Sequence, residues 1–159
     1  MLREKEKKHR PAEKNGHRAD KNGFSGLNGY RPTDKEPFMN ERQREYFRAK
    51  LLVWKEEILQ EAKETLQHLQ DENQNHPDLA DRASSETDRA IELRARDRQR
   101  KLIAKIDAAL QRIDDGTYGY CEETGEPISL KRLEARPIAT LSVEAQERHE
   151  KREKVYRDE

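Results

Sequence analysis

The sequence predicts a mainly α-helical protein, in which a long antiparallel coiled-coil hairpin is attached to a small globular end. Two long stretches carry apolar residues at three- and four-residue steps, and a short link rich in Asn, His and Pro separates them. Only 31% of the 159 residues are hydrophobic, against 42% that are charged. A large globular core is therefore excluded, and the helices are expected to be thin and solvated.

Residues 1–37 have the composition of a flexible arm. They hold most of the glycines, half of the prolines and almost no regularly spaced apolar residues. Phe24, Leu27 and Tyr30 leave open the alternative that the arm docks on the body of the protein.

The first long helix is expected to begin after Asn40, a residue type that caps helix N-termini. It is expected to end in the sequence NQNHPDLAD, where Pro77 stops the helix and Asp78 or Asp81 can cap the next one. Its apolar face is formed by Phe47, Leu51, Trp54, Ile58, Thr65 and Leu69.

The second long helix is expected to run antiparallel to the first, because the link between them is short. Together they form a rod over 38–114, about 45 to 50 Å long, with its tip at 73–83. Arg98 falls where an apolar residue is expected, so a rod this sparse needs an anchor at its base. The apolar face of the second helix is expected to contain Ile91, Ala95, Leu102, Ile106, Ala109 and Ile113.

Residues 115–159 are expected to supply that anchor. The sequence GTYGYCEETGEPIS is typical of a short hairpin with glycine turns, and LKRLEARP of a helical turn closed by Pro137. A last helix begins after Ser142, which can cap it.

The tip carries two carboxylates, Asp78 and Asp81, which would point the same way on the first turn of a helix beside the small Ala83. Helix capping alone explains them, because carboxylates favour helix N-termini. Alternatively, the rod presents an acidic tip to a recessed metal ion or basic site.

A basic strip on the second helix contains Arg94, Arg98, Lys101 and Lys105. Such strips are usually solvated faces that form ion pairs. The alternative is that the strip, with Arg132 and Arg136 of LKRLEARP, holds a phosphorylated ligand at a partner interface, because guanidinium groups match phosphate oxygens.

The globular end has the spacing of a zinc ribbon, which needs two pairs of ligands. The four ligand positions hold Cys121, Thr124, Ser142 and Ala145. Because hydroxyl and methyl side chains are not ligands of structural zinc, we expect no zinc here. Hydrogen bonds from Thr124 and Ser142 would replace the metal, together with apolar packing by Tyr118, Tyr120, Ile128, Leu133 and Leu141.

The charge balance argues against a protein that holds nucleic acid mainly through its phosphates, since 33 basic residues equal 33 acidic ones. No apolar run reaches the roughly 20 residues of a membrane span, and the Lys-rich start lacks the apolar part of a signal peptide. The single cysteine fits a reducing compartment. These features indicate a cytoplasmic protein with a protein partner and, since no catalytic constellation is found, no enzymatic activity.

The segments FMNERQREYF, DLADRA, ELRARDRQRKLIAKI and GTYGYCEETGEPISLKRLEARP resemble the DksA/TraR family over about 37–154. The resemblance implies a bacterial transcription regulator that inserts its coiled coil into the secondary channel of RNA polymerase. It would act with ppGpp in the stringent response, as a monomer that does not bind specific DNA. Open complexes at ribosomal RNA promoters would be destabilised, and some amino-acid biosynthesis promoters would be stimulated.

The resemblance also assigns residues to roles. Asp78, Asp81 and Ala83 match the functional tip, while Leu102, Lys105 and Arg136 match the ppGpp site at the polymerase interface, which Arg98 also faces. Gln146 stands where many members have a lysine, so a weaker response to ppGpp is expected. The missing cysteines place the chain among the zinc-independent members.

Two other functions remain open. Tip carboxylates that hold Mg²⁺ would make the protein a transcript-cleavage factor, and cleavage of RNA in a stalled elongation complex would identify it. A plain coiled-coil interaction protein would use the tip acids only as helix caps.

Overall fold

The computed structural model describes residues 27–73 and 79–157, apart from the side chains of residues 72, 73 and 79–83. This part of the chain is mainly helical and contains no β-strand beyond two isolated bridges, which confirms the predicted fold class. Its helices are α1 (Glu41–Asn73), α2 (Leu79–Asp115), α3 (Leu130–Ala135) and α4 (Val143–Arg157). None of these helices is long and apolar enough to cross a membrane.

The two long helices form an antiparallel hairpin. Arg48 pairs with Asp114 at 2.6 Å, and Lys55 pairs with Asp107 at 2.7 Å. The second pair lies seven residues later in α1 and seven residues earlier in α2, as antiparallel packing requires. At 1.5 Å per residue α1 is about 50 Å long.

The start of α1 is capped as the sequence predicts, because the Gln43 N–H donates to Asn40 Oδ1 at 2.8 Å. The buried Gln43 side chain ties the preceding segment to the helix, accepting from Met39 N–H and donating to Thr33 O. Leu27 and Tyr30 pack against the core, which matches the docking alternative for these two residues. Phe24 lies outside the described residues, and the domain boundaries given above stay predictions.

The core lies at the base of the hairpin, where the two long helices meet α3 and the start of α4. α1 contributes Tyr46, Phe47, Leu51 and Ile58, of which only Ile58 retains any exposure. The other buried apolar residues are Met39, Ile106, Ala109, Ile113, Tyr118, Cys121, Ile128, Leu130, Leu133, Ile138, Ala139 and Ala145. Among the residues whose side chains are described, burial therefore anchors the rod at its base.

The predicted seam of α2 is wrong at two positions. Ile91 is 55% exposed, and Arg98 is exposed outside the seam. The half-buried Gln99 and Glu92 instead stand one and two heptads before Ile106, respectively, and each has a buried side-chain oxygen without a hydrogen-bond partner. The distal seam is therefore polar, and burial there is weak.

The start of α2 excludes one of the two candidate caps. The helix begins at Leu79, so Asp81 lies inside it and cannot be its N-cap. Asp78 and the rest of the link at 74–78 lie outside the described residues.

A buried ion pair fastens α1 to α3. Lys50 Nζ lies 2.8 Å from Glu134 Oε2, and their side chains are 4% and 25% exposed. Removing one partner of such a pair leaves the other charge poorly solvated.

We expect Lys50→Met to lower the free energy of unfolding by about 2 kcal/mol, because it strands the Glu134 carboxylate while keeping the aliphatic stem. The matched control is Lys101→Met, which breaks the exposed pair with Asp97 and should cost less than about 0.5 kcal/mol. Urea unfolding measures the free energy of unfolding of both variants. Equal stability of Lys50→Met and the wild type would contradict this role for the pair.

Gln99→Leu should stabilise the distal hairpin by about 1 kcal/mol, because it removes an unpaired buried oxygen and adds apolar contact. Hydrogen exchange of the amides around Gln99 measures the local opening free energy. Arg98→Leu is the control one residue away, and it should change that energy by less than about 0.5 kcal/mol. Stabilisation by Arg98→Leu alone would instead support the seam expected from the sequence.

Candidate functional site

The tip residues assigned by resemblance fall at the limit of the described structure. Asp78 lies outside it, and Asp81 and Ala83 are described only as backbone of the first turns of α2. Their proposed roles therefore stay predictions.

A small cavity at the base of the rod lies between α2, α3 and the start of α4. Its volume is about 170 Å³. One wall is a face of α2, where Lys105 and Arg112 flank the small Ala108. Arg132 and Arg136, one turn apart, come from α3 and its C-cap. The remaining lining residues are Ile138, Ala139, Thr140, Leu141 and Gln146.

The cavity is strongly basic, because four of its ten lining residues are cationic and none is acidic. Arg132 is held in place, since its Nε donates to Leu141 O at 2.8 Å. Lys105, Arg112 and Arg136 form no ion pair with the residues described. The chain as a whole has no net charge, so this local excess of positive charge favours the binding of a multiply charged anion in the cavity.

The structure brings together some of the residues predicted for the ligand interface. Lys105 and Arg136 line the same cavity, and so do Arg132 and Gln146. Leu102 is half-buried against the core. Arg98 lies apart, in a surface groove with Ile91, Leu93, Arg94 and Asp97.

The basic strip on α2 is thus divided. Lys101 pairs with Asp97 at 3.0 Å, as a solvated face would, while Lys105 turns to the cavity. Sequence reasoning missed Arg112. Its position seven residues after Lys105 places both on one helix face, and this spacing is the signal that could have found it.

The ribbon-like turn surrounds Cys121. Cys121 N–H donates to Glu126 O and Gly125 N–H donates to Cys121 O, each at 2.8 Å. Gly119 and Gly125 have φ values of 88° and 72°, in the left-handed region that favours glycine. The Cys121 side chain is buried.

The residues at three of the four ribbon positions are in contact, because Thr124 and Ser142 both form hydrogen bonds to the Cys121 sulfur. Burial opposes ionisation of this thiol, but hydrogen bonds from the Thr124 hydroxyl and from the backbone N–H groups of Ser142, Thr124 and Glu123 outweigh it. The pKa of Cys121 consequently falls to about 6. Ala145, at the fourth position, is fully buried in the core and donates its N–H to Ser142 Oγ. This bond confirms the predicted cap of α4.

Two family models match the chain in succession. Residues 43–113 match the N-terminal domain of the DnaK suppressor protein DksA. Residues 116–151 match the prokaryotic dksA/traR C4-type zinc finger.

The second match overturns the expectation of no zinc, because the matched module is a C4-type zinc finger and indicates zinc binding. The side chains present do not fit a four-cysteine site, since Thr124, Ser142 and Ala145 offer no thiolate. Within the described residues, no group of three or more His, Cys, Asp or Glu could hold a metal ion. We therefore assign no step of the function to a metal.

Curated relatives cover most of the chain. RNA polymerase-binding transcription factor DksA of Caulobacter vibrioides is 75% identical over 129 residues, which are 81% of this chain and 91% of the relative. The protein of the same name from Escherichia coli K12 is 43% identical over 82% of this chain and 87% of its own length.

A solved structure agrees with these relatives. Transcription factor DksA2 from Pseudomonas aeruginosa superimposes with a TM-score of 0.70 at 45% identity, over 76% of this chain and 95% of that chain. Since two family models and these relatives span the helical hairpin and the module after it, the chain belongs to the DksA/TraR family.

Proposed function

We propose that this protein is a transcription regulator that binds RNA polymerase by inserting its helical hairpin into the secondary channel. The observation that carries the proposal is the 75% identity to a relative named as an RNA polymerase-binding transcription factor, over 91% of that relative. No catalytic role is proposed, because the relatives are named as transcription factors. It acts in the cytoplasm as a monomer and does not bind specific DNA.

The shape of the hairpin supports insertion into a channel. α1 and α2 are 33 and 37 residues long, and the buried core of the described residues braces them at their base. A slender rod of about 50 Å can carry Asp78 and Asp81 to a recessed site, where these residues and Ala83 act on the polymerase.

The basic cavity supports an effect of ppGpp. This nucleotide carries two diphosphate groups, and arginine side chains bind phosphate oxygens through paired N–H groups. Lys105 and Arg136 contact the nucleotide, with Leu102 beside them and Arg98 toward the polymerase. Because Gln146 is neutral, ppGpp strengthens the effect less than a lysine at this position would allow.

The regulator destabilises open complexes at ribosomal RNA promoters during the stringent response. At some promoters of amino-acid biosynthesis it stimulates transcription.

In transcription from a ribosomal RNA promoter by bacterial RNA polymerase, we expect inhibition that deepens when ppGpp is added. The double variant Asp78→Asn, Asp81→Asn should lose most of the inhibition, because the tip then lacks its carboxylates. Asp88→Asn is the matched control, since Asp88 is an exposed acid of α2 beyond the tip, and it should inhibit like the wild type. No inhibition by the wild-type protein would refute the proposal.

A further inference from the structure

The described part of the chain begins against one side of α1. Tyr30 lies edge-on to Tyr46, with 6.0 Å between the ring centroids, and the Arg42 guanidinium lies 3.9 Å from the centre of the Tyr30 ring. The Tyr30 N–H donates to Leu27 O at 2.8 Å, and Leu27 packs against the core. The N-terminal segment, residues 1–26, is therefore joined to the body of the protein at a point close to Tyr46.

Tyr46 stands at the head of a line of side chains along α1. Because a helix has 3.6 residues per turn, the residues 7, 11, 18 and 25 positions after Tyr46 lie within about 20° of it around the helix axis. All four of these residues are exposed. We call them the outer line of α1: Val53, Glu57, Glu64 and Asp71.

The outer line is acidic, and its charges are not compensated. Between positions 56 and 71, α1 holds five Asp or Glu residues and one lysine. The acids of the line form no ion pair with a described side chain, and only Glu64 accepts a hydrogen bond, from Gln60 Nε2 at 3.0 Å. Lys101 of α2 pairs with Asp97 of its own helix instead.

These acids also repel one another. Glu61 is exposed beside the line, four residues after Glu57 and three before Glu64, and like charges at these spacings destabilise a helix. Cations that approach this side of α1 relieve the repulsion, so the face favours a basic occupant.

The N-terminal segment has the charge and the length of such an occupant. It holds eight Lys or Arg residues and four Asp or Glu residues. Fully extended, a segment of this length reaches about 85 Å, whereas the outer line ends about 37 Å from Tyr46 along α1. Attachment to the same chain also gives it an effective concentration in the millimolar range, at which several weak surface ion pairs suffice for binding.

We propose that the outer line of α1 is a docking site for the basic N-terminal segment of the same chain. Lys and Arg side chains of the segment pair with the carboxylates of Glu57, Glu64 and Asp71. This contact is independent of the action on the polymerase. It offsets the repulsion along the distal half of α1, where the polar seam with α2 contributes little.

The test is paramagnetic NMR on the full-length protein, with a nitroxide attached through Asn15→Cys in the middle of the segment. The native Cys121 is buried. At low ionic strength the nitroxide should broaden the amide signals of residues 57–71. The broadening should weaken as salt is added, because the screening length falls from about 10 Å at 0.1 M to about 3 Å at 1 M.

A pair of double variants tests whether the outer line itself is the site. Glu57→Gln with Glu64→Gln should lower the ratio of docked to free segment by about fivefold, as the loss of two surface ion pairs implies. The matched control is Glu86→Gln with Asp88→Asn, which removes the same charge from two exposed positions of α2 and should stay within about twofold of the wild type. Circular dichroism checks that both variants keep their helices.

Three results would overturn the proposal. The first is no broadening of residues 57–71 at low ionic strength, which means that the segment stays free of α1. The second is an equal loss of broadening in both double variants, which means that net charge and not the outer line attracts the segment. The third is broadening that arises only between a nitroxide-bearing chain and a separate isotope-labelled chain, which means that a second copy supplies the occupant.

Discussion

The packing of Tyr118 is the interaction on which the rest of the structure depends. Its side chain is 2% exposed, its ring centroid lies 5.6 Å from that of Phe47, and its hydroxyl donates to Pro137 O at 2.7 Å. Burial raises the pKa of Tyr118, so the hydroxyl remains a protonated donor. One residue thus joins α1 to the end of α2 and to the loop between α3 and α4.

This joint fixes the direction of the rod and the walls of the cavity together. Farther along the rod the apolar seam gives way to Glu92 and Gln99, so the distal hairpin gains little from burial. The base of the hairpin is therefore firmly packed, whereas its distal half is weakly packed and can adjust its conformation when it contacts a partner. The basic cavity lies beside the firm end, where arginines from two helices keep their positions.

Periodicity and capping residues could predict much of the fold. Asn40 and Ser142 cap their helices as expected, and the apolar steps locate both long helices. Far from the core, the sequence could not predict which face of α2 packs on α1. A face that contains Ile91 and a face that contains Glu92 both follow three- and four-residue steps, so both fit a helix. Only packing against α1 decides between them. Arg112 was missed because the cavity forms where α2 meets α3, and counting cysteines led to the wrong expectation about zinc.

The central claim is that the distal end of the hairpin enters the polymerase while its base stays outside. An iron chelate that generates hydroxyl radicals, attached through Asp71→Cys near the end of α1 or Gln111→Cys near the base, tests it in the polymerase complex. Both positions are exposed, and the single native cysteine is buried. The account predicts cleavage of polymerase segments around the active centre from position 71 and of the outer rim from position 111. Cleavage of the same outer surface from both positions would contradict it.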